Sequence, residues 1–350
     1  VLLETAAEIM WGKYPGDEPD YQSPKRHRSM ADETDVAETL DALLAAKRPV
    51  IVAGHGVLYA EAWDELLAFA ELLQIPVMTT LLGKSAFPET HELALGTGGR
   101  TITKAAGHFA NEADFILGIG TSFTINDFSA RMPEGKTLGQ ITNAPSYVGK
   151  CRPVSCGAIG DAKLVLGQLI ALAKERLGDG GRETAANTIR EIAKLKAEFL
   201  EEWGERLNCD DDGSISPYRI IHEMNTLFDK SKSVVTNDAG NPRDQIIPFY
   251  EATNPRGYLA WGKSTQLGAS LGRALGAKRA RPDWLSVNFV GDAGVGMSGM
   301  DFETATRANL PIMTVLLNNG VMGGYGAYMP DAVENFGSNK LGGQYAEIAA

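Results

Sequence analysis

Cysteine is scarce in this chain. Three are present, Cys151, Cys156 and Cys209, too few and too irregularly spaced for a disulfide framework or a zinc site, and that usage fits a reducing cytoplasm. Long apolar runs are lacking as well. None approaches the roughly 18 residues of a membrane-spanning helix, and the opening VLLETAAEIMWG lacks the basic-then-apolar order of a secretory signal. Positive charge is in deficit: a formal net charge of -11 repels polyanions, so nucleic acid is not an expected partner. The one dense basic cluster, KRHR at 25–28, lies between the acidic runs GDEPD and ADETD and reads as a solvated linker. A small anionic ligand is still compatible with this charge, because glycine loops and metal ions act locally.

What is present describes a soluble globular chain of about two domains: 350 residues, 44% hydrophobic and 22% charged. From Trp11 to about Asp32 the sequence is aperiodic and rich in Pro, Gly and charge, as a connecting segment reads. Strand and helix patterns then alternate. DVAETLDALLAAKRP has helical spacing and runs into the β-branched VIVAGHG. The helix AEAWDELLAFAELLQ, the strand IPVMTT, a Gly-rich loop around LGTGGR, the helix TKAAGHFANEA and the strand DFILGIG follow, with further strands at TLGQIT and VSCGAIG and a closing helix DAKLVLGQLIALAKERL. A charged helical stretch, ETAANTIREIAKLKAEFLEEWGERL, reads as a connector. A second α/β unit then opens at SPYRIIHEMNTLF, where Ser216 is placed to cap and Pro217 to occupy the first turn. The alternation predicts parallel sheets covered by helices on both faces.

The stretch GDAGVGMSGMDFETATRANLPIMTVLLNN, Gly291 to Asn319, carries the functional signal. Asp292 and Asn319 each close a strand, and the intervening length suits a loop, about three turns of helix and a return strand. Two parallel strands have their carboxyl ends on one sheet edge, so both side chains are brought beside one crevice. A carboxylate and an amide oxygen are hard ligands that suit Mg²⁺ or Ca²⁺ rather than zinc. Two such ligands cannot fill an octahedron, which implies a phosphorylated partner. Ala293, Gly294 and Gly296 let the backbone approach an anion at the start of the following helix, although glycines alone also serve a tight strand-to-helix turn.

This stretch resembles the Gly-Asp-Gly to Asn-Asn motif of the thiamine diphosphate-dependent enzymes, most nearly the acetolactate synthase-like group. LLAAKRPVIVAGHG is similar to the entry of that family's central domain, and VVTNDAGNPRDQ and WGKSTQLGASLGRALGA to successive parts of its diphosphate-binding domain. The resemblance implies two doubly wound α/β parallel-sheet domains: 33–175 central, 176–212 a helical connector and 213–350 diphosphate-binding but stopping short. Residues 1–32 would be the end of an N-terminal domain, whose last strand VLLE resembles, and a linker. It implies that Asp292, Asn319 and the Val321 carbonyl hold Mg²⁺, and that Gly240, Asn241, Gly291, Ala293 and Gly294 lie at the diphosphate of thiamine diphosphate. Leu267 would bend the cofactor from below, and the Thr265 backbone would accept from its aminopyrimidine amine. It further implies a lyase or carboligase acting on a 2-oxo acid, working as a homodimer or homotetramer with the cofactor at a subunit interface.

The motif also departs from the family. The usual third glycine is Ala293, and Gly294 stands where Ser is frequent. The activating glutamate belongs to an N-terminal domain that this sequence does not include, so no catalytic base is assigned and the chain reads as a fragment. AGHG at 53–56 and GTGGR at 96–100 read as strand-ending turns rather than nucleotide loops, and GTSFTIND at 120–127 lacks the arginine of FAD-binding relatives, so FAD is not predicted. A 2-hydroxyacyl-CoA lyase or oxalyl-CoA decarboxylase-like enzyme, and a non-catalytic cofactor-binding relative, are the alternatives. Met322 and Tyr325 are candidates either for a substrate pocket or for packing on a neighbouring subunit. Glu303 and Arg307 form a helix-surface pair at i, i+4 spacing.

Overall fold

Alternating strands and helices leave each strand buried on both faces, and the computed structural model shows how this chain meets that demand. It describes residues 4–16, 21–25, 27–129, 132–182, 186–211, 214–261 and 264–349. Of the strand expected at VLLE, residues 1–3 lie outside the described residues. After a short helix α1 (Ala7–Trp11), α2 (Glu33–Ala45) starts at Asp32, whose side chain accepts from the Thr34 amide. The first unit then continues through β1 (Pro49–Ala53), α3 (His55–Ala60), α4 (Trp63–Leu73), β2 (Val77–Thr80) and β3 (Ala94–Gly98). It closes with α5 (Lys104–Glu112), β4 (Phe115–Ile119), β5 (Thr137–Thr142), β6 (Cys156–Ile159) and α6 (Ala162–Leu177).

These six strands form one parallel sheet in the doubly wound order β3-β2-β1-β4-β5-β6. Successive side chains point to opposite faces. Ile51, Ala53, Phe115, Leu117 and Ile119 join α2, α4 and α6 in one core, while Val50, Val52 and Ile116 face α5 in another. The second layer is completed by α7 (Ala186–Glu202), read from sequence as a connector, which buries Ile192 there. It is tied down by Glu191, paired with both Arg48 and His108. At the switch point between β1 and β4 the strand ends open into a crevice of about 580 Å³, lined among others by His55, Asn143 and Lys150.

Beyond α8 (Gly204–Leu207) and the two-residue antiparallel strands β7 (Asp210–Asp211) and β8 (Ser214–Ile215), a second parallel sheet begins. It contains β9 (Ser233–Asn237), β10 (Tyr258–Leu259), β11 (Leu285–Gly291) and β12 (Met313–Leu317) in the order β10-β9-β11-β12. Its helices are α9 (Pro217–Leu227), α10 (Asn241–Ile246), α11 (Ala269–Ala280), α12 (Asp292–Ser298) and α13 (Phe302–Arg307), followed by α14 (Tyr325–Tyr328), α15 (Pro330–Phe336) and α16 (Tyr345–Ala349). The expected fold class, two doubly wound parallel-sheet units, is what the structure shows.

Local differences have physical reasons. LGTGGR is not a loop: β3 runs through Gly98 and pairs with β2, and Gly96 both takes a positive φ of 89° and leaves no room for a Cβ, which would strike Thr103. Ser216 occupies the N-cap of α9 with Pro217 in its first turn, but its side chain makes no capping hydrogen bond. No loop separates β11 from its helix: α12 begins at Asp292 itself, and a 3₁₀ turn at Gly299–Asp301 divides it from α13. Glu303 and Arg307 do pair, at 2.8 Å.

The glycines of AGHG serve packing. A Cβ on Gly54 would lie 2.3 Å from the Gly120 carbonyl oxygen, and one on Gly56 2.6 Å from the Gly120 Cα, so β1 and β4 can end side by side only with hydrogen at these positions. Both contacts are backbone, which cannot step aside. Gly54→Ala is therefore expected to destabilise the chain by about 1–3 kcal/mol, read as a lowered urea midpoint; an unchanged midpoint would show that the two strand ends can separate freely.

Candidate functional site

In the second sheet the chain runs outward from β9 to β10 and then returns past β9 to β11 and β12. The order therefore reverses between β9 and β11, and the segments leaving those two strands flank one crevice. Both segments start with the same tripeptide. Asp238-Ala239-Gly240 follows β9, and Asp292-Ala293-Gly294 follows β11. The register sets Phe289 beside Asn237, and the Asp238 amide donates to the Phe289 carbonyl at 2.9 Å.

The two carboxylates have different work. Asp238 is wholly buried; its Oδ2 accepts from the Gly268 amide at 2.8 Å and its Oδ1 from the Ser270 amide at 3.4 Å, which anchors the start of α11. Burial pushes this carboxyl above its ordinary range, and the Gly268 and Ser270 amides oppose that shift. Asp292 is also buried, yet it faces the neighbouring strand: Oδ1 accepts from its own neighbour's amide, Ala293, and Oδ2 from the Gly320 amide, each at 2.8 Å. Each oxygen has two lone pairs, so both retain capacity for a further partner.

The Gly320 bond brings the end of β12 to Asp292. β11 and β12 are in register with Gly291 beside Leu317, so the turn after β12 emerges next to the start of α12. Asn319 Oδ1 accepts from the Val321 amide at 3.2 Å, an Asx-type turn that leaves the side chain exposed with one acceptor direction unused. Val321 bridges to Lys340, and the flanking bonds use the Gly320 carbonyl and the Met322 amide. The Val321 carbonyl takes no part in those two bonds.

Around these atoms the backbone is close. A Cβ on Gly323 would lie 3.0 Å from Asn241 Nδ2, and one on Gly291 3.4 Å from Pro242 Cγ, so the Gly240–Pro242 turn sits against both strand ends. Gly240 has a φ of 79° and is exposed, as is Asn241. A Cβ on Gly294 would come within 2.3 Å of Asp238 Oδ2. The carboxylate occupies the space a side chain would need, which explains glycine at this position. Ala293 tolerates its methyl.

Gly240, Asn241, Gly291, Asp292, Ala293, Gly294, Asn319 and Val321 are thus gathered at one sheet edge. Thr265 and Leu267 lie on the segment leading into α11. They connect to that cluster through Gly268, bonded to Asp238, and Trp261 Nε1 pins the segment by donating to the Gln266 carbonyl at 2.9 Å. Asp238 was not singled out in the sequence. Its signal was available: the tripeptide Asp-Ala-Gly at two strand ends.

Comparison with known proteins bears on this arrangement. Residues 36–169 match the description "Thiamine pyrophosphate enzyme, central domain", and residues 238–348 match "Thiamine pyrophosphate enzyme, C-terminal TPP binding domain". The chain belongs to the thiamine pyrophosphate enzyme family. Among curated proteins of this family it is similar to a "Probable acetolactate synthase large subunit" of Methanocaldococcus jannaschii, 34% identical over 79% of this chain and 47% of that protein. It is 29% identical to an acetolactate synthase large subunit of Haemophilus influenzae, over 89% of this chain and 54% of that one. With acetolactate synthase isozyme 3 large subunit of Escherichia coli it shares 31% identity over 82% of this chain and 50% of the other. The chain spans about half the length of the family members it matches. The family's C-terminal match begins at residue 238, the first of the two Asp-Ala-Gly aspartates.

Asp238→Ala leaves the Gly268 and Ser270 amides without an acceptor at the buried start of α11. The expected loss of stability is about 1–2 kcal/mol by urea unfolding, and a loss within error would show that water replaces the carboxylate.

Proposed function

We propose that the protein of which this chain forms part is a thiamine diphosphate- and Mg²⁺-dependent carboligase or lyase acting on 2-oxo acids. The observation that carries this reading is the 2.8 Å bond from the Gly320 amide to Asp292 Oδ2, which holds the Asn319 turn against the aspartate in the region matching the cofactor-binding domain. In this reading Asp292, the Asn319 side chain and the Val321 carbonyl are the protein's metal ligands. All three are hard oxygen donors, the set that suits Mg²⁺ when phosphate oxygens and water complete the shell. The donor set fits: two of the oxygens are already oriented by backbone amides and keep a lone pair, and the third lies outside the bridge bonds beside it.

Gly240, Asn241, Gly291, Ala293 and Gly294 would lie along the diphosphate, where absent or small side chains permit backbone approach. Leu267 would support the cofactor's bend and the Thr265 carbonyl would accept from its amine. When bound, the cofactor supplies an electron sink for the carbon–carbon bond made or broken. This chain's residues bind and orient it, and they hold the reacting rings at short range.

The division into a central domain, 33–175, a connector, 176–212, and a diphosphate-binding domain, 213–350, belongs to the same reading. So does a homodimer or homotetramer with the cofactor at a subunit interface. Met297, Met300, Tyr328 and Phe336 are exposed on the segments leading away from Asp292 and Asn319, an apolar surface that a second copy would cover. Among the described residues no helix is long and apolar enough to cross a membrane; a cytoplasmic location belongs to the same reading.

Asp292→Ala in the whole protein should weaken Mg²⁺-dependent binding of thiamine diphosphate by more than about 100-fold in calorimetric titration; undiminished affinity would remove the metal assignment. Leu267→Ala should leave that affinity nearly intact yet slow exchange of the thiazolium C2 proton about tenfold or more, followed by NMR. Unchanged exchange would mean that Leu267 does not set the bend.

A further inference from the structure

The seam between the two α/β units contains a buried ion pair. Lys84, in the loop after β2, is wholly buried, and its ammonium donates to Glu89 Oε2, to Thr97 Oγ1 at 3.5 Å and to the Ile247 carbonyl at 3.1 Å. Glu89 is equally well served. Its Oε1 accepts from Thr97 Oγ1 at 2.8 Å and its Oε2 from the Ala252 amide at 2.8 Å, while the Glu89 amide donates to the Ala252 carbonyl at 3.0 Å. Connector helix α7 joins in through Lys196, which donates to the Glu89 carbonyl at 3.1 Å. Burial presses the Lys84 ammonium below its ordinary range, and Glu89 opposes the shift. A buried pair with every polar partner in place specifies geometry more than it adds stability.

That geometry bears on one short helix. Ile247 is the C-cap of α10, so the ammonium meets a carbonyl that the helix itself cannot pair. The first unit also touches α10 elsewhere, and Arg100 pairs with the Asp244 carboxylate at 3.8 Å. Thr101 Oγ1 donates to the Asp244 carbonyl at 2.9 Å, and the Arg243 guanidinium lies 4.4 Å from the centroid of the Phe128 ring. Gly240 and Asn241 stand at the opposite end of α10, where Asn241 lies against Gly323 and Pro242 against Gly291. The six-residue helix α10 links the seam to the site.

We propose that Lys84, paired with Glu89, is a positioning residue for the diphosphate site: by holding Ile247 it fixes α10 and hence the placement of Gly240 and Asn241. The central unit then acts as a jig for the cofactor-binding unit without touching the cofactor. This rests on the reading of Gly240 and Asn241 as diphosphate contacts.

The test uses the whole protein and the neutral variant Lys84→Met/Glu89→Gln, in which neither charge is stranded. As a control, Arg256→Met breaks other bonds across the same seam, from Arg256 to the Leu58 carbonyl and Glu61, away from α10. Two readouts are taken. Without cofactor, hydrogen exchange at the Asp244 and Ile247 amides, bonded within α10 to Gly240 and Arg243, should quicken about tenfold or more in the double variant and stay slow in the control. Calorimetric affinity for thiamine diphosphate with Mg²⁺ should fall about tenfold in the double variant alone. Unchanged exchange and affinity in the double variant, or equal losses in both variants, would overturn the proposal. Should the double variant fail to fold, the native protein still decides: Asp244 and Ile247 amides that exchange as fast as exposed loops, while the Ala252 amide on Glu89 is slow, exclude a hold on α10. Failure of the native protein to bind thiamine diphosphate would instead sink the functional reading, and the cofactor-free exchange would still judge the positioning.

Discussion

Gly320 donates its amide to Asp292, and through that bond the turn after one strand is registered on the helix that begins after its neighbour. A parallel sheet brings strand ends to one edge but does not by itself orient the loops that leave them. Here a buried carboxylate does so. One oxygen serves the start of its own helix, the other reaches the adjacent turn, where Asn319 in turn accepts from the Val321 amide. Removal of a cation from water is costly unless several such oxygens replace the hydration shell together, and under the proposed function the value of the arrangement would lie in holding them in one place beforehand.

The paired aspartates show how one tripeptide acquires two roles. Asp238 is enclosed by α11 and α12, spends its oxygens on backbone amides and presses against Gly294. Asp292 stands one strand further along, where the next strand ends in an open turn. The tripeptide is the same, and the position of each copy in the sheet sets what its carboxylate meets. Behind this edge the two units are joined through a seam whose buried pair is fully hydrogen-bonded, so the edge inherits its geometry from both sheets. Leu81 of the first unit packs in the second unit's core.

Much was legible from residues alone. Apolar periodicity located the main helices and the longer strands, and Asp292 with Asn319, each closing a hydrophobic run, pointed to a shared sheet edge. Such features are local or depend on spacing along the chain, and propensity and period encode them directly. The two-residue strand β10, the strand character of LGTGGR and the immediate start of α12 at Asp292 were not legible, because neighbouring strands and helices decide them.

By itself, then, the sequence determined the α/β class, the places where strands end in acidic, amide and glycine residues, and a composition at odds with a disulfide scaffold or a membrane-spanning helix. Only the tertiary structure decided that Asp238 would be an internal anchor, that Gly294 must lack a side chain, and that Lys84 and Glu89 would meet Ile247 and Ala252 from more than 160 positions away. Pairing across such distances is set by which surfaces are buried against each other, and burial is a property of the assembled layers that no single segment carries.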